Sequence, residues 1–439
     1  MRGWPVIALF VACAGVGVAH GQQPAASQPT YTFEPSEYQQ KDFEISGYGE
    51  GKYEEFGLDR NGAFYQLNKP SGSRPSVNER GTGTLEVTGK YHKDITTLDF
   101  TAHGDGERDV VFGNDHNTKL YQGGLHIEPT TGLSFDLGKR VLLWGKGYAW
   151  NPVGFIQRPK DPTDPDASRE GFWMASANYV RSFQEGPIKT LGFMPVFIPA
   201  TPAVNNDFGK VHHDDVAAKL YALIGTTDID VMALSGGAKS TRYGADFSSA
   251  VTPALEVHGE IARVTEATRP VLNAAGQPTQ LTAPAMDYLI GLRYLTESAT
   301  TFIVEYYHNG EGFQDAEGDS FYSLAHSAFA SYRATGSTAL LQKAGMMSQM
   351  YMKPNPMRRY INFKVSQSEP FDIVYFTPSL MIQANTTDRS FLVLPELLYT
   401  GFKNIELRFR VQANIGPHLT EFGEKQASTR AEFRMRYYF

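Results

Sequence analysis

The sequence predicts an all-β chain that closes into a transmembrane antiparallel β-barrel of about 18 strands, with long loops on one rim and short turns on the other. Three observations predict it. From Thr429 every second residue is apolar or small (Thr429, Ala431, Phe433, Met435, Tyr437, Phe439), and Arg430, Glu432, Arg434, Arg436 and Tyr438 lie between them. Strict alternation makes a strand with two unlike faces, as a wall between lipid and a wet lumen requires. Segments of about ten residues with this character recur along the chain, the length a tilted strand needs to cross a bilayer. The segments joining them alternate between long and short.

Composition points the same way. The 439 residues are 41% hydrophobic and 13% aromatic, with 42 glycines and a net charge of −7. Beyond the start, no segment supplies the roughly 18 consecutive apolar residues of a membrane helix. The weakly acidic balance argues against a nucleic-acid partner.

In chain order, residues 1–21 read as a secretory signal peptide: Arg2 is the charged start, Val6 to Val18 the apolar stretch, and cleavage follows Gly21. The rival is lipoprotein processing at Cys13, for which Phe10 is a poor fit. Cys13 is the single cysteine, so the processed chain has neither disulfides nor thiolate metal sites. Residues 22–41, rich in Pro, Gln and Ser, read as a periplasmic leader, too short to form a plug. Residues 42–439 are then the barrel. Its candidate strands are 43–53, 83–92, 95–105, 118–128, 132–144, 171–182, 188–198, 214–225, 228–237, 240–250, 254–264, 286–297, 300–310, 357–367, 372–384, 390–399, 404–413 and 428–439. Sixteen strands is the alternative count. Long segments follow odd strands: 54–82, 106–117, 145–170, 199–213, 265–285, 311–356 and 414–427. Two outer connections, at 238–239 and 386–389, are short. Tight turns follow even strands, as at 92–94, 226–227 and 401–403. A soluble sandwich or propeller has no reason to alternate loop length this way.

If the apolar alternates face lipid, their neighbours face inward. The late strands then contribute Arg358, Lys364, Arg408, Arg410, Arg430, Arg434 and Arg436, a basic band interrupted by Glu406 and Glu432. Earlier strands contribute Asp99, Asp136, Arg140, Glu256, His258 and Glu260. Opposite charge on opposite walls sets a field that biases which solutes enter. The bland reading is that these arginines only pair with the glutamates and fill the lumen.

Two loops carry local information. Residues 144–171, WGKGYAWNPVGFIQRPKDPTDPDASREG, are dense in Pro, Gly, Trp and Asp, and so are ordered by rigid turns. Lys146, Arg158, Lys160, Asp161, Asp164 and Arg169 are its candidate contacts if it folds into the lumen as a constriction; a surface loop locked by prolines is the alternative. Trp144 reads as an aromatic of the membrane girdle, and Tyr148 and Trp150 as girdle residues or stacking platforms. In 311–356, Phe321, Leu324, Ala325, Ala328, Phe329 and Tyr332 recur at helical spacing behind a Ser320 cap. Ser337 heads a second helix with Leu340, Leu341, Ala344 and Met347. Such a hairpin lies over the mouth or dips into the pore. Met346, Met347, Met350 and Met352 read as its small core rather than a soft-metal site.

The closing strand that ends on Phe439 resembles the assembly signal of bacterial outer-membrane proteins. The strand running into Trp144-Gly145, followed by Asn151-Pro152, resembles a broad group of such barrels. Together these residues resemble the porin-like outer-membrane channels. The resemblance implies residence in a Gram-negative outer membrane, contact with its lipid, and insertion by the barrel-assembly machinery through Phe439. It also implies passive passage of small polar or anionic solutes with no cofactor. The oligomeric state stays open. A gated uptake channel for a hydrophobic or bulky substrate is the second reading, and an enzyme on a barrel scaffold the third. For the last, the sequence offers only His212, His213, Asp214 and Asp215, with no Gly-x-Ser-x-Gly or His-Glu-x-x-His motif. The chain is therefore expected not to be an enzyme.

Overall fold

Period-two alternation is realised as 18 strands in a computed structural model that describes residues 42–439. The signal peptide and leader expected from the sequence lie outside the described residues. The strands are β1 (Phe43–Leu58), β2 (Val77–Lys93), β3 (Thr96–Asp109), β4 (Asp115–Thr130), β5 (Leu133–Arg140), β6 (Phe172–Ser182), β7 (Ile188–Ile198), β8 (Asp215–Ile224), β9 (Thr227–Ser235), β10 (Arg242–Thr252), β11 (Leu255–Leu272), β12 (Pro278–Leu295), β13 (Thr300–His308), β14 (Arg359–Gln367), β15 (Phe376–Asn385), β16 (Ser390–Phe402), β17 (Ile405–Ile415) and β18 (Ala427–Tyr438). Each pairs antiparallel with its sequence neighbours, and β1 pairs with β18, so no edge is left open. The count of 18 stands; sixteen is excluded.

The wall is inverted relative to a soluble protein. Leu98, Phe100, Leu137, Ile261, Phe409 and Phe433 are exposed on the outside, while Glu54, His258, Glu305 and Glu432 are buried inside. Lipid, not water, suits that outer face. Closure is fixed at the last residue. Phe439 exchanges two backbone hydrogen bonds with Gly47, of 3.1 and 3.0 Å. A Cβ at Gly47 would meet the Glu86 carbonyl and lie 2.8 Å from the Phe439 ring, so only glycine lets the terminal aromatic lie there.

The short rim carries connections such as 94–95, 131–132, 225–226 and 403–404. Asp94, Gly132, Gly225 and Asn404 take positive φ in them, as two-residue hairpin turns demand. The opposite rim carries 59–76, 141–171, 199–214, 309–358 and 416–426. Two expected long loops are corrected. Residues 265–285 are mostly strand: β11 and β12 run on as a ribbon to a turn at 273–277. Arg269 of that ribbon holds Glu317 with two hydrogen bonds of 3.0 and 3.2 Å, a long-range anchor invisible to local pattern. Likewise β3 and β4 extend until only 110–114 separates them.

Three helices sit on the long-loop rim: α1 (Ala63–Asn68), α2 (Asp315–Thr335) and α3 (Ala339–Tyr351). The helical hairpin is as expected, but its caps are not. Gln314 and Glu317 form the capping box of α2, and Ser320 lies inside the helix, donating to Ala316 O at 2.7 Å. Thr338, not Ser337, precedes α3. Met347 is buried in the hairpin core and Met350 packs against it, whereas Met346 and Met352 are exposed.

Candidate functional site in the barrel lumen

The 141–171 loop does not cover the surface; it folds into the barrel and touches several walls. Two buried carboxylates hold its first turn. Glu260 of β11 accepts the N–H groups of Lys146 (2.6 Å), Gly147 (2.7 Å) and Val153 (3.2 Å), and the Asn151 side-chain amide (2.9 Å). Glu305 of β13 accepts those of Tyr148 (2.5 Å) and Ala149 (2.7 Å), with His258 Nε2 at 2.9 Å. Converging backbone N–H groups form an anion nest, and here the anions are the wall's own side chains. That explains the Trp-Gly-Lys-Gly run. Gly145 has φ +100°, and a Cβ there would lie 2.7 Å from the Glu260 carboxylate.

Apolar packing seats the same loop. Trp144, Val153, Phe155 and Ile156 are buried against Phe172, Val196, Ile198 and Leu234 on the inner face of β6, β7 and β9. Trp144 is only 2% exposed, so its assignment to the lipid girdle is corrected. Trp150 stacks on Tyr307 at 5.2 Å and packs beneath the α2–α3 hairpin with Phe321, Tyr322 and Tyr351. Its ring is used in packing and offers no open platform. The hairpin is thereby fastened to the inward loop.

At its far end the loop meets the opposite wall. Asp164 lies 2.7 Å from Arg434, 3.4 Å from Arg410 and 3.6 Å from Arg408. Burial pushes the Asp164 carboxyl up, but Arg434 and Arg410 outweigh it and hold it down at about 2. Of the two readings of the basic band, the ion pairs here are those of the second: its wall arginines stand beside carboxylates. Arg410 makes a bidentate pair with Glu432 (2.7 and 2.9 Å), its direct cross-strand partner. Arg408 pairs with Glu406 at 3.0 Å, Arg430 with Glu54 at 3.5 Å, and Arg436 with Glu50 at 2.7 Å. Arg358 precedes β14 and donates to Gly312 O at 3.2 Å at the foot of the hairpin, not on the wall.

We expect Arg410→Ala to destabilise the barrel by about 3–5 kcal/mol, because Glu432 would be left buried without its partner. Heat-modified migration in gels should show unfolding at a lower temperature.

The remaining candidates divide in the same way. Asp99 and Asp136 both engage Arg140, and Asp136 also bonds His126 at 3.0 Å. Glu256 accepts the Tyr148 hydroxyl at 3.0 Å. Lys146 lies 2.9 Å from Asp230; Arg158 lies 2.8 Å from Asp207 and 3.3 Å from Glu170. Asp161 staples its own turn through Thr163. Asp214 accepts Ala200 N–H, and Asp215 accepts the N–H groups of Ala238 and Lys239, so those carboxylates close loops.

Lys160, Arg169 and Lys364 are different. Among the described residues none of them makes an ion pair, and all three line one cavity of about 460 Å³ with Leu143, Ile303 and Met381. Lys160 donates only to carbonyls, Gly147 O at 2.6 Å above all, and Arg169 Nη1 is buried with no partner. Burial, with Arg169 beside it, pushes Lys160 below the ordinary lysine range. Sequence reasoning had these three but missed Glu305, whose only signal is one carboxylate at an inward position of an otherwise apolar and aromatic strand.

No protein-family model matches the sequence, and no curated protein does. Solved structures do. OccK5 (OpdH) of Pseudomonas aeruginosa aligns over 91% of this chain and 98% of its own, at 10% identity and a TM-score of 0.51. A triple mutant of the Rhodopseudomonas blastica porin aligns over 90% of this chain and all of its own, at 10% identity and a TM-score of 0.43. At such identity the likeness to OccK5 is one of fold: a closed porin-type barrel.

Proposed function

We propose that the protein is a selective outer-membrane channel for small organic anions, narrowed and capped by its own loops. The observation that carries this reading is the cavity with three cations that make no ion pair among the described residues. The wall arginines Arg408, Arg410, Arg430, Arg434 and Arg436 are neutralised, so Lys160, Arg169 and Lys364 are where a passing anion gains most. Leu143, Ile303 and Met381 beside them suit an apolar body on that anion. No enzymatic role is proposed, since the carboxylates of the His212–Asp215 cluster serve backbone hydrogen bonds. The outward apolar face supports residence in lipid, and the Phe439 closing strand supports delivery by the barrel-assembly machinery.

Single-channel conductance in planar bilayers, with the reversal potential under a salt gradient, tests the reading. A small conductance that prefers anions is expected. A cation-preferring pore would sink it. A silent barrel would favour a gated uptake channel, for which the aromatic packing of α2 and α3 across the mouth is the motivating feature.

The preference should also depend on pH. Lys239 lies on an outer cavity of about 540 Å³, donating to Phe155 O at 2.8 Å with Phe208 at 4.0 Å. Burial and neighbouring Arg242 and Arg158 push its ammonium down to about 7, against the pull of Asp215 and Glu311. Lysine is charged below its pKa, so anion preference should grow as pH falls from about 8 to about 6. Lys239→Met should flatten that dependence.

A further inference from the structure

Three separate segments of the long-loop rim converge on one carboxylate. Glu424, in the 416–426 connection, is fully buried. Its Oε2 accepts the N–H of Ala63 at the start of α1 (2.6 Å), and its Oε1 accepts that of Leu419 (2.8 Å). Two imidazoles face Oε1: His326 Nε2 of α2 at 3.0 Å and His418 Nδ1 at 3.5 Å. One nitrogen of each ring and a carboxylate oxygen all lie within 4.8 Å of one another.

Both ring nitrogens of His326 are held. Its Nδ1 lies 2.9 Å from Gln66 Oε1, and the Gln66 amide is oriented by its own donation to Asn61 O at 3.0 Å. Nδ1 therefore carries the hydrogen. Nε2 faces the Glu424 carboxylate oxygen at 3.0 Å, where it either donates a second N–H or turns its lone pair to a cation held between the two. Metal-ligating histidines have this arrangement: the outer nitrogen donates to a side-chain or backbone oxygen, which fixes the tautomer and aims the other at the metal.

We propose that His326, His418 and Glu424 form a binding site for a borderline divalent metal of the zinc class. Two imidazole nitrogens and one carboxylate oxygen are its protein ligands, and water takes the fourth position. Zinc bonds of about 2.0–2.1 Å set tetrahedral ligand atoms roughly 3.3 Å apart. The two distances to Glu424 already match. The two rings must close on each other, and His418, whose side chain is 73% exposed, is free to turn. Bound metal fastens α2 of the mouth hairpin to the connection between β17 and β18, making it a latch over the entrance.

The test is zinc competition against a chromophoric chelator, using the full chain folded in detergent at neutral pH with any affinity tag removed. One zinc ion per barrel at micromolar affinity or tighter is expected. His418→Ala should weaken it at least ten-fold, and that exposed position leaves folding intact. Gln66→Leu should weaken it as well, because Nδ1 loses its acceptor. A paired His212→Ala, His213→Ala variant, on the other adjacent histidines of this rim, should bind as wild type. Absence of zinc binding, binding indifferent to His418→Ala, or binding lost in the His212/His213 variant would each overturn the proposal.

Discussion

Glu260→Ala combined with Glu305→Ala is expected to raise single-channel conductance several-fold, the largest gain of any change in this barrel. Five backbone N–H groups of the inward loop end on these two carboxylates. Hydrogen bonds to a charged group contribute about 1.5–3 kcal/mol each, so together they hold the turn by several kcal/mol. With both carboxylates gone, five backbone donors, three of them buried, must find water, and leaving the wall is how they find it. The loop remains tethered by Val153, Phe155 and Ile156 in the apolar pocket and by Asp164 at the arginines, so the result is a wider path, not an empty barrel. The strand hydrogen bonds do not involve either side chain, and gel migration of the folded form should be unchanged. A barrel that folds normally yet conducts like wild type would show that the loop does not set the narrow point. Single Glu→Gln changes should have smaller effects, since one carboxamide oxygen still accepts.

The second large effect concerns selectivity. Replacing Lys160, Arg169 and Lys364 together by methionine is expected to invert the sign of the reversal potential. Methionine keeps the apolar stem and removes only the charge. The charges then left around the cavity are Asp166 and Lys146, the latter already paired with Asp230. A unit charge about 4 Å away is worth about 1 kcal/mol in water and about 4 kcal/mol at an effective dielectric of about 20. Three such charges comfortably exceed the 1.4 kcal/mol that changes a permeability ratio ten-fold. Among the candidate luminal arginines the outcome should differ: Arg410→Ala costs folding stability first, because its charge is committed to Glu432 and Asp164. An unchanged reversal potential in the triple variant would remove the cavity from the conduction path.

These predictions separate residues that look alike in sequence. Arg410 and Lys364 are both inward cations on late strands, and alternation alone places them correctly. What alternation lacks is the partner. Arg410 stands opposite Glu432 because β17 and β18 pair in one particular register, and Asp164 arrives from 246 residues away. Lys364 stands between Ile303 and Met381, with no carboxylate opposite. The ribbon at 265–285 escaped for a related reason: Pro270, Pro278 and Pro284 read locally as loop, while the contact that orders it, Arg269 to Glu317, joins segments 48 residues apart.

The sequence by itself determined the wall: the number of strands and which rim bears the long loops. Those follow from a period of two and from turn chemistry, both local, so one chain suffices to read them. Only the tertiary structure decided what fills the barrel, which charges are cancelled and which are left for a solute. Ion pairing, anion nests and apolar seating are made between segments far apart in the chain, and their energies depend on distances that no local pattern encodes.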